Sequence, residues 1–306
     1  MKEDIRKLLL DSGAVAVGFA MAGEIDSAVH EDYVKWIGEG YNADMDYLKR
    51  HIPLRHHTDH VLPGAKTVIS LAYDYYPEKF LPPENASISA YAYGDDYHGA
   101  LREILSPLVK DLQKKLGGEW RICIDSAPVA ERYWAMKSGI GRRGVNSSVI
   151  IAGAGAFCFL VEILTTLSIP PDKPSDAFCD NCGECIRKCP GKALRGDGTM
   201  DARRCINYLT IEKKGEFSPE EEKLVSEGSG YLFGCDVCLR VCPHNKDIIH
   251  TKYASFSLND EIKNLTPEKI LSLESQEFKD KFKNTPLGYG GLKRLRRNAS
   301  LLISKK

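Results

Sequence analysis

Residues 179–190 read CDNCGECIRKCP, so that Cys179, Cys182, Cys185 and Cys189 are separated by two, two and three residues and followed by Pro190. Three thiols at that spacing can close on one side of a cluster while the fourth reaches a second one, which is the run of a bacterial two-cluster iron–sulfur module. A second run, CDVCLRVCP at 235–243, supplies Cys235, Cys238 and Cys242 and lacks only a first cysteine, a place that Cys205 can fill. With the fourth ligands crossed over, one 4Fe-4S site takes Cys179, Cys182, Cys185 and Cys242, and the other takes Cys189, Cys205, Cys235 and Cys238. A zinc knuckle is the competing reading, but zinc sites typically draw on two paired ligand sets rather than three close thiols and a remote fourth. Two neighbouring clusters pass electrons one at a time, so electron transfer is the expected role of this segment.

The rest of the chain sets the context for that module. It has 306 residues, 43% of them hydrophobic and 27% charged, which is the composition of a folded protein of about two domains. Its 42 basic and 42 acidic residues cancel, so a nucleic-acid partner would need a local basic patch. The first residues, MKEDIRKLLLDSGAVAVGF, carry charges where a signal peptide needs an apolar core, and no later run approaches a membrane span. A cytoplasmic protein without membrane contact is expected, in which ten cysteines are explained by metal ligation rather than disulfides. Cys123 and Cys158 lie in apolar runs and are expected to be inert core thiols.

Periodicity predicts mixed helix and strand up to about residue 168. Helices are expected over 2–12, 31–38 and 98–118, with Pro107 kinking the last of these or ending its first turn, and strands over 14–20, 66–73, 121–125, 147–153 and 156–165. The proline-rich IPPDKPSDA, 169–177, places a boundary near Pro171. The expected fold class is α+β: an N-terminal α/β domain over 1–170, a two-cluster ferredoxin-like domain over 171–250, and a helical, basic segment over 251–306. That last segment carries Lys279, Lys281, Lys283, Lys293, Arg294, Arg296, Arg297, Lys305 and Lys306 with Asp280 the one acid among them.

Several stretches beyond the cysteine runs are distinctive: LPGAKTVISLAY (62–73), YGDDYHGAL (93–101), DSAPVAERYWAMKSGIGRRGVNSSVI (125–150), DARRCINYLTIEKKG (201–215), GCDVCLRVCPHNK (234–246) and RLRRNASLLI (294–303). Together they resemble the epoxyqueuosine reductase family, the cobalamin-dependent iron–sulfur enzymes that complete queuosine in tRNA, over nearly the whole chain. The resemblance implies a base-off cobalamin held between the N-terminal domain, which would bind it, and the cluster module. It further implies that the clusters reduce cobalamin to a nucleophilic cob(I) state and that Asp125 donates a proton to the epoxide oxygen. By similarity, Arg55, His98, Gly144, Asn146, Asn207 and Tyr208, with Asp125, are candidate cobalamin contacts. Read from the residues alone, Asp125 at a strand end before a helix suits either an active-site acid or a helix cap.

The chain departs from the family where a GWIGKN-like stretch is replaced by Gly141, Arg142, Arg143, Gly144, Val145 and Asn146, and where a serine before Tyr208 is replaced by Asn207. Many relatives continue past the last motif into helical repeats that help hold tRNA, so this short form is expected to hold RNA by its core and basic tail. The expected partners are a tRNA anticodon stem-loop carrying epoxyqueuosine and an external low-potential electron donor, with the protein a monomer. Lys213, Lys214, Lys293, Arg294, Arg296 and Arg297 are the candidate phosphate contacts. Two other functions compete: a corrinoid reductase of a small molecule, like the reductive dehalogenases, and a two-cluster electron carrier.

The cysteine assignment makes a first prediction. Reconstituted protein should hold about eight irons, and Cys205→Ala should lose about half of them, because Cys205 serves one site only. Iron analysis that finds about four in the unaltered protein, or stoichiometric zinc, contradicts it.

Overall fold

The stretch KTVISLAY is apolar without alternation, as a strand covered on both faces must be, and in the computed structural model it is the buried centre of the main sheet. The structure describes residues 1–82, 87–175, 178–228 and 230–303. The strands are β1 (Ala16–Met21), β2 (Thr67–Asp74), β3 (Ser87–Ile88), β4 (Trp120–Cys123), β5 (Gly141–Arg143), β6 (Val149–Ile151), β7 (Cys158–Thr165) and β8 (Tyr231–Phe233). The main sheet has the order β1-β2-β7-β4, and each pairing is antiparallel. Asp125 therefore follows an edge strand of an antiparallel sheet, and not the strand end of a doubly wound one.

Helices cover both faces. On one, Ile5 and Leu9 of the helix Lys2–Asp11 and Leu101 and Leu105 of the helix Tyr97–Leu116 pack on Ile69, Leu71 and Ile163. On the other, Tyr133 and Trp134 of the helix Glu131–Lys137 pack on Val68, Cys123 and Leu164. Each such side chain taken fully from water contributes about 1.5–3 kcal/mol. Pro107 neither ends nor interrupts the long helix. It sits on the solvent side, and the buried row Leu101, Leu105, Val109 and Leu112 offsets a cost of about 3 kcal/mol for an interior proline.

The expected strand at 147–153 forms as β6 but pairs with β5 in a hairpin outside the main sheet. A second short pair was not foreseen: β3 lies parallel to β8 and so joins the N-terminal region to the cluster module. The connector is tied down as well, since Asp172 accepts from Arg6 at 2.8 Å and from the Phe19 amide at 2.9 Å and pairs with Lys2 at 2.7 Å. Leu232 and Phe233 of the module and Ile262, Phe282 and Leu295 of the C-terminal segment enter the same apolar core as Ile69. The three expected segments thus share one core. Among the described residues no helix is long and apolar enough to cross a membrane.

The basic C-terminal segment corrects the sequence expectation of a free cationic patch. The helix Ile206–Ile211, which starts beside Cys205, leaves carbonyls unsatisfied at its C-terminal end, as every helix does. Arg297 donates to Leu209 O at 3.0 Å and to Lys213 O at 3.1 Å, Arg294 donates to Ile211 O, and Asn298 donates to Thr210 O at 2.9 Å and Leu232 O at 3.0 Å. Arg297 also stacks on Phe217, 3.8 Å from the ring centre. Arg296 donates to Leu273 O at 2.7 Å, and Lys213 pairs with Asp44 and Glu221. Cations at a helix C-terminus are favourable because the peptide dipoles leave negative charge there. Lys214 and Lys293 stay exposed. Lys305 and Lys306 lie outside the described residues.

Asn298 is fully buried and its amide serves two carbonyls. Asn298→Ala should lower stability by about 1–3 kcal/mol, the cost of stranding buried acceptors. The check is a lower denaturant midpoint at unchanged slope; an unchanged midpoint removes this helix from the forces that hold the module.

Candidate active site and cluster-binding module

Gly183, at φ +73°, turns the chain into the helix Glu184–Lys188, and this turn brings Cys182 and Cys185 round to face Cys179. Cys179, Cys182, Cys185 and Cys242 line one cavity together with Val145, Asn146, Ile150, Pro243 and His244. This is the first of the two ligand sets that the spacing assigned. In the second set, burial pushes the Cys205, Cys235 and Cys238 thiols up, and their nearness to one another and to Cys189 adds to it. Cys189 Sγ also accepts the Ala193 amide at 3.2 Å. Thiols gathered in this way hold negative charge poorly unless a cationic core neutralises them. Among the described residues no three His, Cys, Asp or Glu groups close on a point fit for a single metal ion; a cubane, with its own sulfides, needs thiolates on a wider ring. The donor set therefore fits two iron–sulfur clusters.

The second constellation lies at the end of β4. Asp125 has φ +50°, a left-handed conformation that aspartate tolerates better than most residues. Its amide donates to Glu131 Oε1 at 2.7 Å. Tyr97 Oη donates to Asp125 Oδ2 at 3.0 Å, and His98 Nε2 lies 3.3 Å from the same oxygen. His98 is held from the other side by Asp96, the cap of the long helix, with Nδ1 to Oδ1 at 2.7 Å. Tyr97 is stacked on Phe159 at 4.3 Å and on His98 at 4.1 Å, which fixes both rings.

The electrostatics of this group follow from its contacts. Burial acts to lower the His98 pKa, but hydrogen bonds to Asp125 and Asp96 outweigh it and push it up to about 9. Burial acts to raise that of Asp125, but His98 and Tyr97 hold it below the usual carboxylate range. Near neutral pH the pair therefore carries its proton on His98. The Asp125 side chain is 60% exposed even so, because one side of it opens to a recess. Arg55 adds positive charge toward Asp125 and has a buried Nε with no partner in the protein.

The other nominated residues fall in three places. Asn146 is buried at the cluster-lined cavity, and Gly144 beside it has room for no side chain, since a Cβ would come within 2.9 Å of Asn146 Oδ1. Asn207 is exposed near Gly234, next to Cys235. Tyr208 is a correction: it is buried, and its hydroxyl accepts the Asp44 amide at 3.1 Å, so it anchors a loop and does not face the recess. A polar cleft lined by Asp44, Asp46, Tyr47, Arg50, Glu212, Lys214 and Tyr289 lies nearby, with Tyr47, Glu212 and Tyr289 within electrostatic reach of Asp125. Sequence reasoning missed Asp96, Tyr97 and Glu131. All three lie inside quoted motifs, but only folding shows that they converge on Asp125.

A family model described as a 4Fe-4S double cluster binding domain matches residues 178–245, and one described as epoxyqueuosine reductase QueG, DUF1730, matches residues 55–126. An epoxyqueuosine reductase of Leadbetterella byssophila is 34% identical over 298 residues, 96% of this chain and 97% of its own. One of Pseudomonas aeruginosa is 34% identical over 296 residues, 93% of this chain and 81% of its own. The structure of epoxyqueuosine reductase from Streptococcus thermophilus matches with a TM-score of 0.89 at 28% identity, covering 99% of this chain and 81% of that one. An epoxyqueuosine reductase with an epoxyqueuosine-modified tRNA-Tyr stem loop matches at 0.88 and 27%, covering 99% and 80%. With relatives of this identity aligned over nearly their whole length, and a double iron–sulfur cluster domain where its cysteines gather, the chain belongs to the epoxyqueuosine reductase family.

Proposed function

We propose that this protein reduces epoxyqueuosine to queuosine in the anticodon loop of tRNA, with Asp125 as the group that hands over a proton. The reaction takes two electrons and two protons and releases the epoxide oxygen as water. The observation that carries the reading is the Asp96–His98–Asp125 series, which opens on the recess beside Arg55. A mere electron carrier has no use for such an acid.

Arg55, with its unpartnered buried Nε, the side-chain-free Gly144 and Asn146 at the cluster cavity fit a large cofactor seated between the N-terminal region and the module. Together with His98 and Asn207 these residues would hold a base-off cobalamin. When bound, that group supplies a strongly reducing cobalt centre, which the protein's own side chains cannot offer. An external low-potential donor would refill the clusters.

The chain's own residues do the proton work. His98 stores the proton, Asp96 orients the ring, and the 3.3 Å contact lets Asp125 draw the proton as charge develops on the epoxide oxygen. Tyr97 keeps Asp125 aimed toward His98. For the RNA, Lys214 on the polar cleft and Lys293 on the C-terminal helix are the exposed cations of the candidate set. Arg294, Arg296 and Arg297 act by holding that helix in place.

Asp125→Asn should keep cobalamin and both clusters and lose ~10²- to 10⁴-fold in turnover on an epoxyqueuosine stem-loop, the usual worth of general acid catalysis. Near-normal turnover would return Asp125 to a structural role, and turnover confined to a small-molecule substrate would favour the corrinoid reductase reading. A second measurement concerns RNA. Replacing Lys214 and Lys293 with glutamine should weaken stem-loop binding and flatten its salt dependence by about 0.7–0.9 per lost phosphate contact. An unchanged slope places the RNA elsewhere.

A further inference from the structure

Behind Asp125 lies a second acidic pair that the proton series does not use. Glu162 stands in β7 directly opposite Ser70 of β2 and Cys123 of β4, so all three project to the face covered by the helix Glu131–Lys137. It is fully buried, and neither carboxyl oxygen has a hydrogen-bond partner. Glu131, the first residue of that helix, reaches back over this face to accept the Asp125 amide at 2.7 Å. A lone acid in the middle of an apolar sheet destabilises the core unless it stays neutral, so its retention here needs a reason.

We propose that Glu131, seated above the buried Glu162, is the positioning residue of the proton-donating loop: its carboxyl oxygen pins the Asp125 amide and so holds Asp125 in the left-handed conformation from which its side chain meets Tyr97 and His98. That conformation is costly for a residue with a Cβ and persists only where neighbours enforce it. The helix Glu131–Lys137 is anchored for the task, because Arg132 donates to Ser147 O at 2.8 Å and Oγ at 2.9 Å, and Tyr133 and Trp134 are packed in the core.

Glu162 gives the arrangement its charge state. Burial first, then the nearby Asp125 charge, pushes Glu131 up to about 8, and burial with Glu131 above it pushes Glu162 higher still. The groups that face Glu131 are Asp125, Glu162, Cys123, Arg55 and Arg132; the two arginines lower its pKa but do not offset burial. Near neutral pH Glu131 is mostly uncharged. An ionised Glu131 would place a second negative charge against Asp125 and raise the affinity of Asp125 and His98 for the proton they must release. Glu131 thus works as a neutral acceptor, and the loop keeps its shape without that added charge.

The inference rests on Asp125 as the proton donor, and the experiment separates the two. In cluster- and cobalamin-loaded protein with Asp125 intact, kcat and KM on the stem-loop are compared for Glu131→Gln and Glu131→Leu, beside Asp125→Asn. The leucine variant removes the acceptor and should lose ~10²-fold in kcat, the scale of a small misplacement, with KM and the cobalamin spectrum unchanged. The glutamine variant keeps an acceptor oxygen, so it should retain most of kcat. Its alkaline limb should move upward from about pH 8, leaving His98, at about 9, to set it. A leucine variant as active as the parent, or a glutamine variant as impaired as leucine, overturns the proposal. If the leucine variant does not fold, an alkaline limb left in place by glutamine overturns it equally. Should Asp125→Asn itself turn over normally, the proton-donor reading fails first.

Discussion

Eight thiols drawn into two sets set the terms for this molecule. Each set is mostly buried, and burial together with mutual repulsion resists the thiolate form that iron needs. Only the cationic iron of a cluster resolves that conflict, so folding of the module and loading of its metal are one process. The helices of the module are short, such as Glu184–Lys188 and Val237–Arg240, and cannot be stable alone. They persist because ligands, neighbours and the shared core hold them. The C-terminal helix fits this need, as its Arg294, Arg297 and Asn298 close the open end of the helix that begins beside Cys205.

The same economy of charge governs the acid group at the end of β4. Asp96, Asp125, Glu131 and Glu162 crowd a small region, yet only some of them are ionised at neutral pH. His98 carries a positive charge between the first two, and burial keeps the other two neutral. The site thereby holds protons at hand without accumulating negative charge, which suits a reaction that consumes protons while electrons arrive from the clusters.

Three parts of the chain meet at the recess. The N-terminal region brings Arg55, His98 and Asp125, the β5–β6 turn brings Asn146 to the edge of the cluster cavity, and the cleft beside it draws Glu212 and Lys214 from the module and Tyr289 from the C-terminal segment. The short β3–β8 pair and the Asp172 contacts hold these parts in register. A site assembled this way needs one continuous core, and residues as far apart as Ile5 and Ala299 do share one.

The sequence by itself determined what is local or fixed by spacing. Cysteine intervals foretold which thiols would face one another, because a few residues of turn and helix leave little freedom. Apolar periodicity foretold the long helix and the central strands, because it reports which side must leave water. It could not tell that β6 would pair with β5 rather than join the main sheet, since an apolar run of three or four residues is satisfied by any partner. Nor could it tell that Arg294, Arg296 and Arg297 would be spent on carbonyls: a basic run reads alike whether it meets phosphate, water or a helix end. Glu162 was visible as a lone acid in an apolar strand, but its meaning depends on Glu131 lying over it. Tertiary structure alone decided that, because a residue's charge state is set by neighbours that are distant in the chain and close in space.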